Sequence, residues 1–374
     1  MIDAERVKNI FLDLVSINSL SCNERGVADY VKVKLASLGL EVVEDDAGPK
    51  INANAGNVIG FLKGNVQGAT PIFLSAHMDT VESTENIVLV FDGDTIKTDG
   101  STILGADDKA GIAAIIEGIT DIVERKVVHG DIQVIFSVSE ERGLCGARKL
   151  DQSKIRAKMG YVFDTERPVA GLTLSAPTHD SLAITIHGKA AHAGMSPENG
   201  VSAIIAASNA ISKMKLGRID SETTANIGRI EGGKARNIIP DLVTVTAEAR
   251  SRNNAKLDAQ IEHMKSLFEN EAEKIGAKAT VNVNRAYSTY RWTQDDDVVK
   301  LGMAASRKIG IEPAFLEGGG GSDANIYNAA GIPSLVIGTG YSGAHSTSEE
   351  LNAKDLTKTA EFASALIECA ADCK

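Results

Sequence analysis

The reactive side chains of this chain fall at a few repeating kinds of place. His77 and Asp79 follow the apolar run Pro71–Ser75 (PIFLS), and Glu140 and Glu141 follow the apolar run 131–139 (DIQVIFSVS). Asp164 ends the run Gly160–Phe163, and His345 lies in a loop beyond the run Pro333–Ile337. Asp107 and Asp108 open a stretch of helical periodicity, 107–126. In open α/β sheets ligands bind beyond the C-terminal ends of the strands, which is where these residues are expected. His with Asp and Glu, and no Cys, is the donor set of zinc or a harder divalent cation. Two histidines and three or more carboxylates exceed the needs of one ion. They would surround two, with one carboxylate bridging. In a pair ~3.5–4 Å apart, metals lower the pKa of a shared water and polarise a carbonyl.

Each residue also has an ordinary structural reading. A His with Asp two residues on is commonly a hydrogen-bonded pair, and a Glu-Glu pair is commonly a solvated helix start. Asp107–Asp108 reads as a helix N-cap favoured by the dipole, and Asp164 alone as a turn residue. Glu140–Glu141, however, ends an almost wholly apolar strand, where an unpaired charge is costly. All the ordinary readings would have to hold together at one sheet edge, which makes them jointly the weaker account.

The flanking pattern supplies that sheet. Helical periodicity covers 3–18 and 24–38, with Ser21 or Asn23 as a cap for the second helix. Runs at 56–63, 71–75, 131–139 and 160–163 read as strands, with helices at 107–126 and 143–150. Strands alternating with helices predict a parallel or mixed sheet covered on both faces. The pattern then changes. Residues 180–187, 223–230, 242–250 and 277–285 alternate as one-sided strands, with helices at 196–215 (Pro197 in its first turn) and 254–276. The order strand–helix–strand–strand–helix–strand is a split βαβ, ferredoxin-like arrangement. The first style resumes from about 295: a helix at 295–309, a strand near 313–316, a glycine-rich turn at 318–321, a short helix, a strand at 333–337 and a closing helix at 353–371. The expected fold is an α/β domain, 1–178 and 290–374, interrupted by an inserted α+β domain, 179–289.

Composition bounds the rest. The chain has 374 residues, net charge −11, 43% hydrophobic and 24% charged residues. These values fit a globular protein, and its length makes two domains the prior. No basic footprint for nucleic acid is present. Nor does any run approach the ~18 apolar residues of a membrane span. Four cysteines (Cys22, Cys145, Cys369, Cys373) are too few and scattered for a disulfide framework, and Cys369 and Cys373 read as one turn of a helix face. The N-terminal stretch lacks a signal-peptide pattern, so the cytoplasm is expected.

The ordered set of motifs is similar to a known family. His77-Met78-Asp79-Thr80-Val81, Gly105-Ala106-Asp107-Asp108-Lys109-Ala110-Gly111, Ser139-Glu140-Glu141-Arg142-Gly143 and Gly188-Lys189-Ala190-Ala191-His192 occur in that family's order. The chain resembles co-catalytic zinc exopeptidases of the aminoacylase/carboxypeptidase-G2 superfamily, nearest the peptidase T (tripeptide aminopeptidase) branch. The resemblance spans nearly the whole chain.

It implies two divalent ions, zinc first and cobalt or manganese as alternatives. His77 and Asp164 would hold one and Glu141 and His345 the other, with Asp107 bridging. Asp79 would hydrogen-bond the far nitrogen of His77. Glu140 would be the general base for a metal-bridging water, delivering the proton to the leaving amine. The Asp107–Asp108 bond is cis in such proteins. His192 would reach the reacting carbonyl of a partner subunit's site as an oxyanion donor, making a homodimer through the inserted domain part of the mechanism. Arg250 would pair with the substrate carboxylate, assisted by Asn237, with Arg236 and Arg252 nearby in sequence. Gly319 and Gly320, within the run 318–321, would admit the peptide backbone. His129, His179, His187 and His263 match no ligand position.

Asp164 favours an aminopeptidase over the deacylases and carboxypeptidases that carry Glu there, although Glu166 lies two residues on. The expected reaction is release of the N-terminal residue of short peptides. An N-acyl amino-acid hydrolase or carboxypeptidase keeps the fold and changes the substrate. A serine hydrolase using Ser322 in the segment 318–324, with His345 downstream, leaves His77, Asp107, Glu140, Glu141 and Asp164 unexplained. A non-catalytic metal or peptide binder would have no use for Glu140.

Overall fold

In the computed structural model, residues 1–372 are described. The chain divides into two compact units. One comprises Met1–Leu174, Arg291–Gly318 and the chain from Ser322 onward; the other comprises Ser175–Tyr290 and Gly319–Gly321.

The first unit is built on a mixed sheet. Its strand order is Glu41–Glu44, Val58–Leu62, Ile132–Ser137, Ile72–His77, Met159–Thr165, Ser334–Gly338, Leu172–Ala176 and Tyr290–Arg291, with Phe315–Glu317 paired to Leu172–Ala176. Every residue of Ile72–His77 and Ile132–Ser137 is buried, which is why both read as unbroken apolar runs. These two strands are parallel, with His77 beside Ser137. Met159–Thr165 is parallel on the other side, with Ser75 beside Val162, a register that carries His77 level with Asp164. Ser334–Gly338 is parallel to it in turn. Four neighbouring strands therefore end at one edge.

Helices Ala4–Val15, Ala106–Arg125 and Ala353–Asp372 pack together over this sheet. Gly118 permits the approach of the last two: a Cβ there would lie 2.8 Å from the Ala363 Cβ and 3.0 Å from the Ser364 nitrogen. The helix Arg25–Ser37 carries neither predicted cap. Glu24 precedes it without a side-chain cap bond, and Ser21 donates its hydroxyl to Asp79 (2.6 Å) instead of capping. A small antiparallel sheet was not legible beforehand: Leu89–Asp92, Thr95–Thr98, Glu350–Asn352 and Tyr341–Ser342. Its strands have four residues or fewer, too short for alternation to register. Two of them flank the loop of His345.

The second unit has an antiparallel sheet ordered Gly217–Arg218, Thr223–Gly232, Leu242–Ser251, Thr178–His187 and Lys278–Tyr287. Leu182, Ile184, Ile186, Val243 and Val245 form its buried face, covered by Ala206, Ala210, Leu257, Met264 and Phe268 of the helices Ala203–Lys213 and Asn254–Lys274. The helix expected over 196–215 is two pieces, the 3-10 turn Pro197–Asn199 and Ala203–Lys213. Between them Val201 pairs with Lys189 through two backbone bonds, and Ser202 caps the second piece. These bonds outweigh continuation of the helix.

Among the described residues, no helix is long and apolar enough to cross a membrane. Cys22, Cys145 and Cys369 take part in no disulfide; Cys373 lies outside the described residues.

Gly160 offers a packing test. A Cβ there would fall 2.0 Å from the Phe73 ring, which meets Tyr327 edge-on at 4.9 Å. Gly160→Ala is expected to cost about 1–3 kcal/mol by overpacking, a fall of roughly 2–10 °C in Tm by calorimetry. An unchanged Tm would show that the ring moves freely.

Candidate active site

The sheet edge gathers the predicted donors within the first unit. His77 is the last residue of its strand; its Nε2 lies 3.0 Å from Asp107 Oδ1 and 3.6 Å from Asp164 Oδ1. His345 Nε2 lies 2.8 Å from Glu141 Oε1 and 3.3 Å from Asp107 Oδ2. Asp107 thus turns one oxygen to each of two donor groups. In His77–Asp107–Asp164 and in Asp107–Glu141–His345, the ligand atoms lie within 4.8 Å of one another. A third overlapping group, His77–Glu140–Glu141, meets the same limit and sets Glu140 beside both.

The electrostatics fit divalent cations. Asp107, Asp108, Glu140, Glu141, Asp164 and Asp323 crowd around two imidazoles. Burial, together with neighbouring Asp107 and Asp323, outweighs His77 and pushes Asp164 up to about 7. Burial and Asp164 push Glu140 well above the usual carboxylate range. Burial raises Asp323 to about 6. Asp107 is the exception: burial pulls it up, but His345 and His77 outweigh burial and hold it below that range. Burial alone would lower His77, yet Asp107, Asp164 and Asp79 raise it well above an ordinary imidazole. Asp107 and Glu141 raise His345 to about 10. Buried anions in such excess are costly without cations, and two divalent ions on these donors would relieve the repulsion.

Backbone geometry aims the donors. Asp107 and Asp108 sit in the first turn of Ala106–Arg125 with non-helical torsions (φ −78°, ψ 103° and φ −120°, ψ 31°), and the peptide bond between them is cis. Asp108 turns inward, its Oδ2 accepting from the His77 nitrogen at 3.2 Å. Gly111 leaves room for it, since a Cβ there would lie 2.4 Å from Asp108 Oδ1. Spacing did not single out Glu349. Only 1% exposed, it accepts from Gly105 N at 2.7 Å and from Asp107 N at 2.9 Å. In sequence it looks like its neighbour Glu350, and only its place four residues past His345 hinted at the site.

Asp79 meets His77 Nδ1 twice, through its backbone carbonyl at 2.9 Å and its carboxylate at 3.4 Å. An Nδ1–H donating there leaves Nε2 free to ligate. The Asp79 carboxylate also accepts from Glu140 N (2.9 Å) and Glu141 N (3.2 Å). Glu166 is likewise occupied, accepting from Ala344 N at 2.9 Å, which ties down the His345 loop. Asp164 rather than Glu166 stands beside His77. Ser322 is a helix cap, its hydroxyl accepting from Ala324 N at 3.2 Å within a capping box. His345 is engaged by Asp107 and Glu141, and Ser322 by the helix start, so neither is placed as a serine–histidine pair.

The other predicted residues belong to the second unit. His192 is exposed, and its Nδ1 accepts from Gly194 N (3.2 Å) and Met195 N (3.1 Å). Exposed Asn237 receives Ala193 N at its backbone oxygen (3.0 Å). Arg250 donates to Glu248 Oε2 at 3.1 Å, and Glu248 also lies 3.2 Å from His179 Nε2. Nothing lies within 4 Å of a Cβ at Gly319, and one at Gly320 would be 3.9 Å from the Arg250 guanidinium. Arg252 is engaged with the Ser221 carbonyl (3.1 Å). His129 meets the Gly130 carbonyl (2.8 Å) and His263 accepts from Lys215 N (3.2 Å), both local structural bonds.

Glu349→Ala is expected to lower divalent-cation affinity about 10–100-fold, as supporting carboxylates commonly do, because Gly105 and Asp107 lose their acceptor. Calorimetric titration of the cation-free protein measures this; unchanged affinity would show that Asp107 is aimed without Glu349.

Residues 73–368 match the model of peptidase family M20/M25/M40. The crystal structure of aminopeptidase PepT from Bacillus cereus is 44% identical, with TM-score 0.92 and 99% of each chain covered. That of a tripeptidase from Staphylococcus aureus is 39% identical, with TM-score 0.95 and 100% of each chain covered. Carboxypeptidase G2 from a Pseudomonas species is 29% identical over 90% of this chain and 82% of its own. The chain belongs to peptidase family M20/M25/M40.

Proposed function

We propose that this chain is a two-metal aminopeptidase that releases the N-terminal residue of short peptides, tripeptides among them. The carrying observation is the pair of donor groups joined by Asp107, with Glu140 beside them. His77, Asp164 and Asp107 Oδ1 would hold one ion; Glu141, His345 and Asp107 Oδ2 the other. Zinc suits the imidazole and carboxylate donors, and cobalt or manganese would fit the same set. When bound, the ions supply Lewis acidity to the scissile carbonyl and lower the pKa of the attacking water.

Glu140 takes the proton from that water and hands it to the departing amine. Its backbone is anchored through Asp79, so its carboxylate is free for the transfer. His192 would donate to the carbonyl oxygen as charge builds there. Two backbone N–H groups occupy its Nδ1, which places the ring proton on Nε2, a donor on an exposed ring. The partner site that receives it belongs to a second copy of this chain, joined through the inserted unit as a homodimer. Arg250, oriented by Glu248, would take the peptide's carboxylate, with Asn237 and the Gly319–Gly320 backbone lining the substrate. Three described cysteines outside any disulfide suit the reducing cytoplasm.

Asp164 beside His77, and the PepT and tripeptidase likenesses, favour free-amine peptides. The carboxypeptidase G2 likeness keeps acylated or C-terminal substrates as the alternative. Incubation with tripeptides and with N-acyl amino acids, reading the released end by mass spectrometry, separates the two. Glu140→Ala should keep both cations by metal analysis and lose about 10²–10⁴-fold in kcat; near-normal turnover would refute the mechanism. His192→Ala should lose about 10²–10³-fold in kcat with cations retained, and an unchanged rate would remove the cross-subunit donor.

A further inference from the structure

One fully buried carboxylate takes no part in this reading. Glu24 is 0% exposed and directly precedes the helix Arg25–Ser37, yet makes no cap bond to it. Its Oε1 points elsewhere and accepts three hydrogen bonds: from Cys22 N (2.8 Å), Ser139 N (3.0 Å) and Ser139 Oγ (2.9 Å). Ser139 Oγ in turn accepts from Cys22 N at 3.1 Å. Both residues have left-handed backbones, φ +75° at Cys22 and +51° at Ser139. Non-glycine residues stay in that region only where their surroundings over-determine them, and Glu24 Oε1 is a common acceptor for both amides.

Ser139 immediately precedes Glu140. The next two amides, of Glu140 and Glu141, bind Asp79, which is itself held by Ser21. The segment Ser21–Glu24 therefore fastens three consecutive amides, two through Asp79 and the first through Glu24. We propose that Glu24 is a positioning residue: it fixes the left-handed turn at Ser139 and so aims the Glu140 base and the Glu141 donor. This rests on the two-metal reading and deepens it. Glu24 touches neither cation nor substrate.

The test compares Glu24→Ala with Glu24→Gln, which keeps an accepting oxygen. With Glu24→Ala, kcat should fall about 10–100-fold while KM changes less than about twofold. Titration of the cation-free protein should show the ion assigned to Glu141 and His345 bound about tenfold more weakly and the other unchanged, since Glu141 would ligate only that ion. Glu24→Gln should recover kcat to within about threefold, because one oxygen carries all three bonds. Wild-type kcat and cation affinity in Glu24→Ala would overturn the proposal. Equal losses in both variants would overturn it too, as they would mean that charge or packing acts instead of the acceptor. If Glu24→Ala does not fold, Ser139→Ala deletes one of the three bonds. A several-fold fall in kcat at constant KM then supports the proposal, and an unchanged kcat overturns it. A wild-type chain that binds no divalent cation refutes the two-metal reading by itself. Amide exchange in the cation-free chain still tests Glu24: it should quicken at Cys22 and Ser139–Glu141 in Glu24→Ala, and unchanged exchange there overturns the proposal.

Discussion

The Asp107 carboxylate is the constraint around which the first unit is arranged. It turns one oxygen to each histidine, at 3.0 Å and 3.3 Å. A carboxylate can face two ways only if its backbone is held apart from the helix it introduces. The torsions at Asp107 and Asp108 leave the helical region, and the amides freed by that bend need acceptors. Glu349 supplies both. Asp108 then turns inward onto the His77 amide, in the space a glycine at 111 leaves open. The Asp-Asp pair is thus divided by geometry, one residue facing the donors and the other bracing them.

Register does the rest. Side chains from three strands can meet only if their ends are level, and the pairing of His77 with Ser137 and of Ser75 with Val162 makes them so. A slip of one residue would turn each side chain to the opposite face. The long buried runs prevent that slip, because any shift would expose part of a strand whose every residue is buried. Hydrophobic burial in the sheet is what specifies a polar site at its edge.

This explains what was legible in the sequence. Runs such as Pro71–Ser75 and 131–139 announce strands buried on both faces, and charged residues at their ends stand out against them. His77, Glu140, Glu141 and Asp164 could be read that way, and the alternation at 180–187 disclosed the second sheet equally well. Glu24, Glu349 and the working partners of Asp79 could not. Each acts on backbone amides whose direction depends on left-handed or bent torsions, and no residue spacing encodes those. The break at Gly200–Ser202 was hidden for a related reason: the bridge between Lys189 and Val201 overrides local helical preference, and it joins residues twelve apart.

The division of the chain separates two tasks. Every donor of both cation groups, and every residue that braces them, lies in the first unit. The second unit contributes no donor to either group. Its His192 presents an exposed imidazole and its Arg250 is restrained by Glu248; in the proposed reading both would meet the peptide. On that reading, cation loading would depend on the sheet edge, and peptide choice on residues of the second unit. A substitution at the Asp107 bend would affect every substrate alike, and one at Arg250 or Gly320 would discriminate among them. In that reading the donors are fixed by burial at the sheet edge, so the second unit could change its peptide contacts while the ions stay in place.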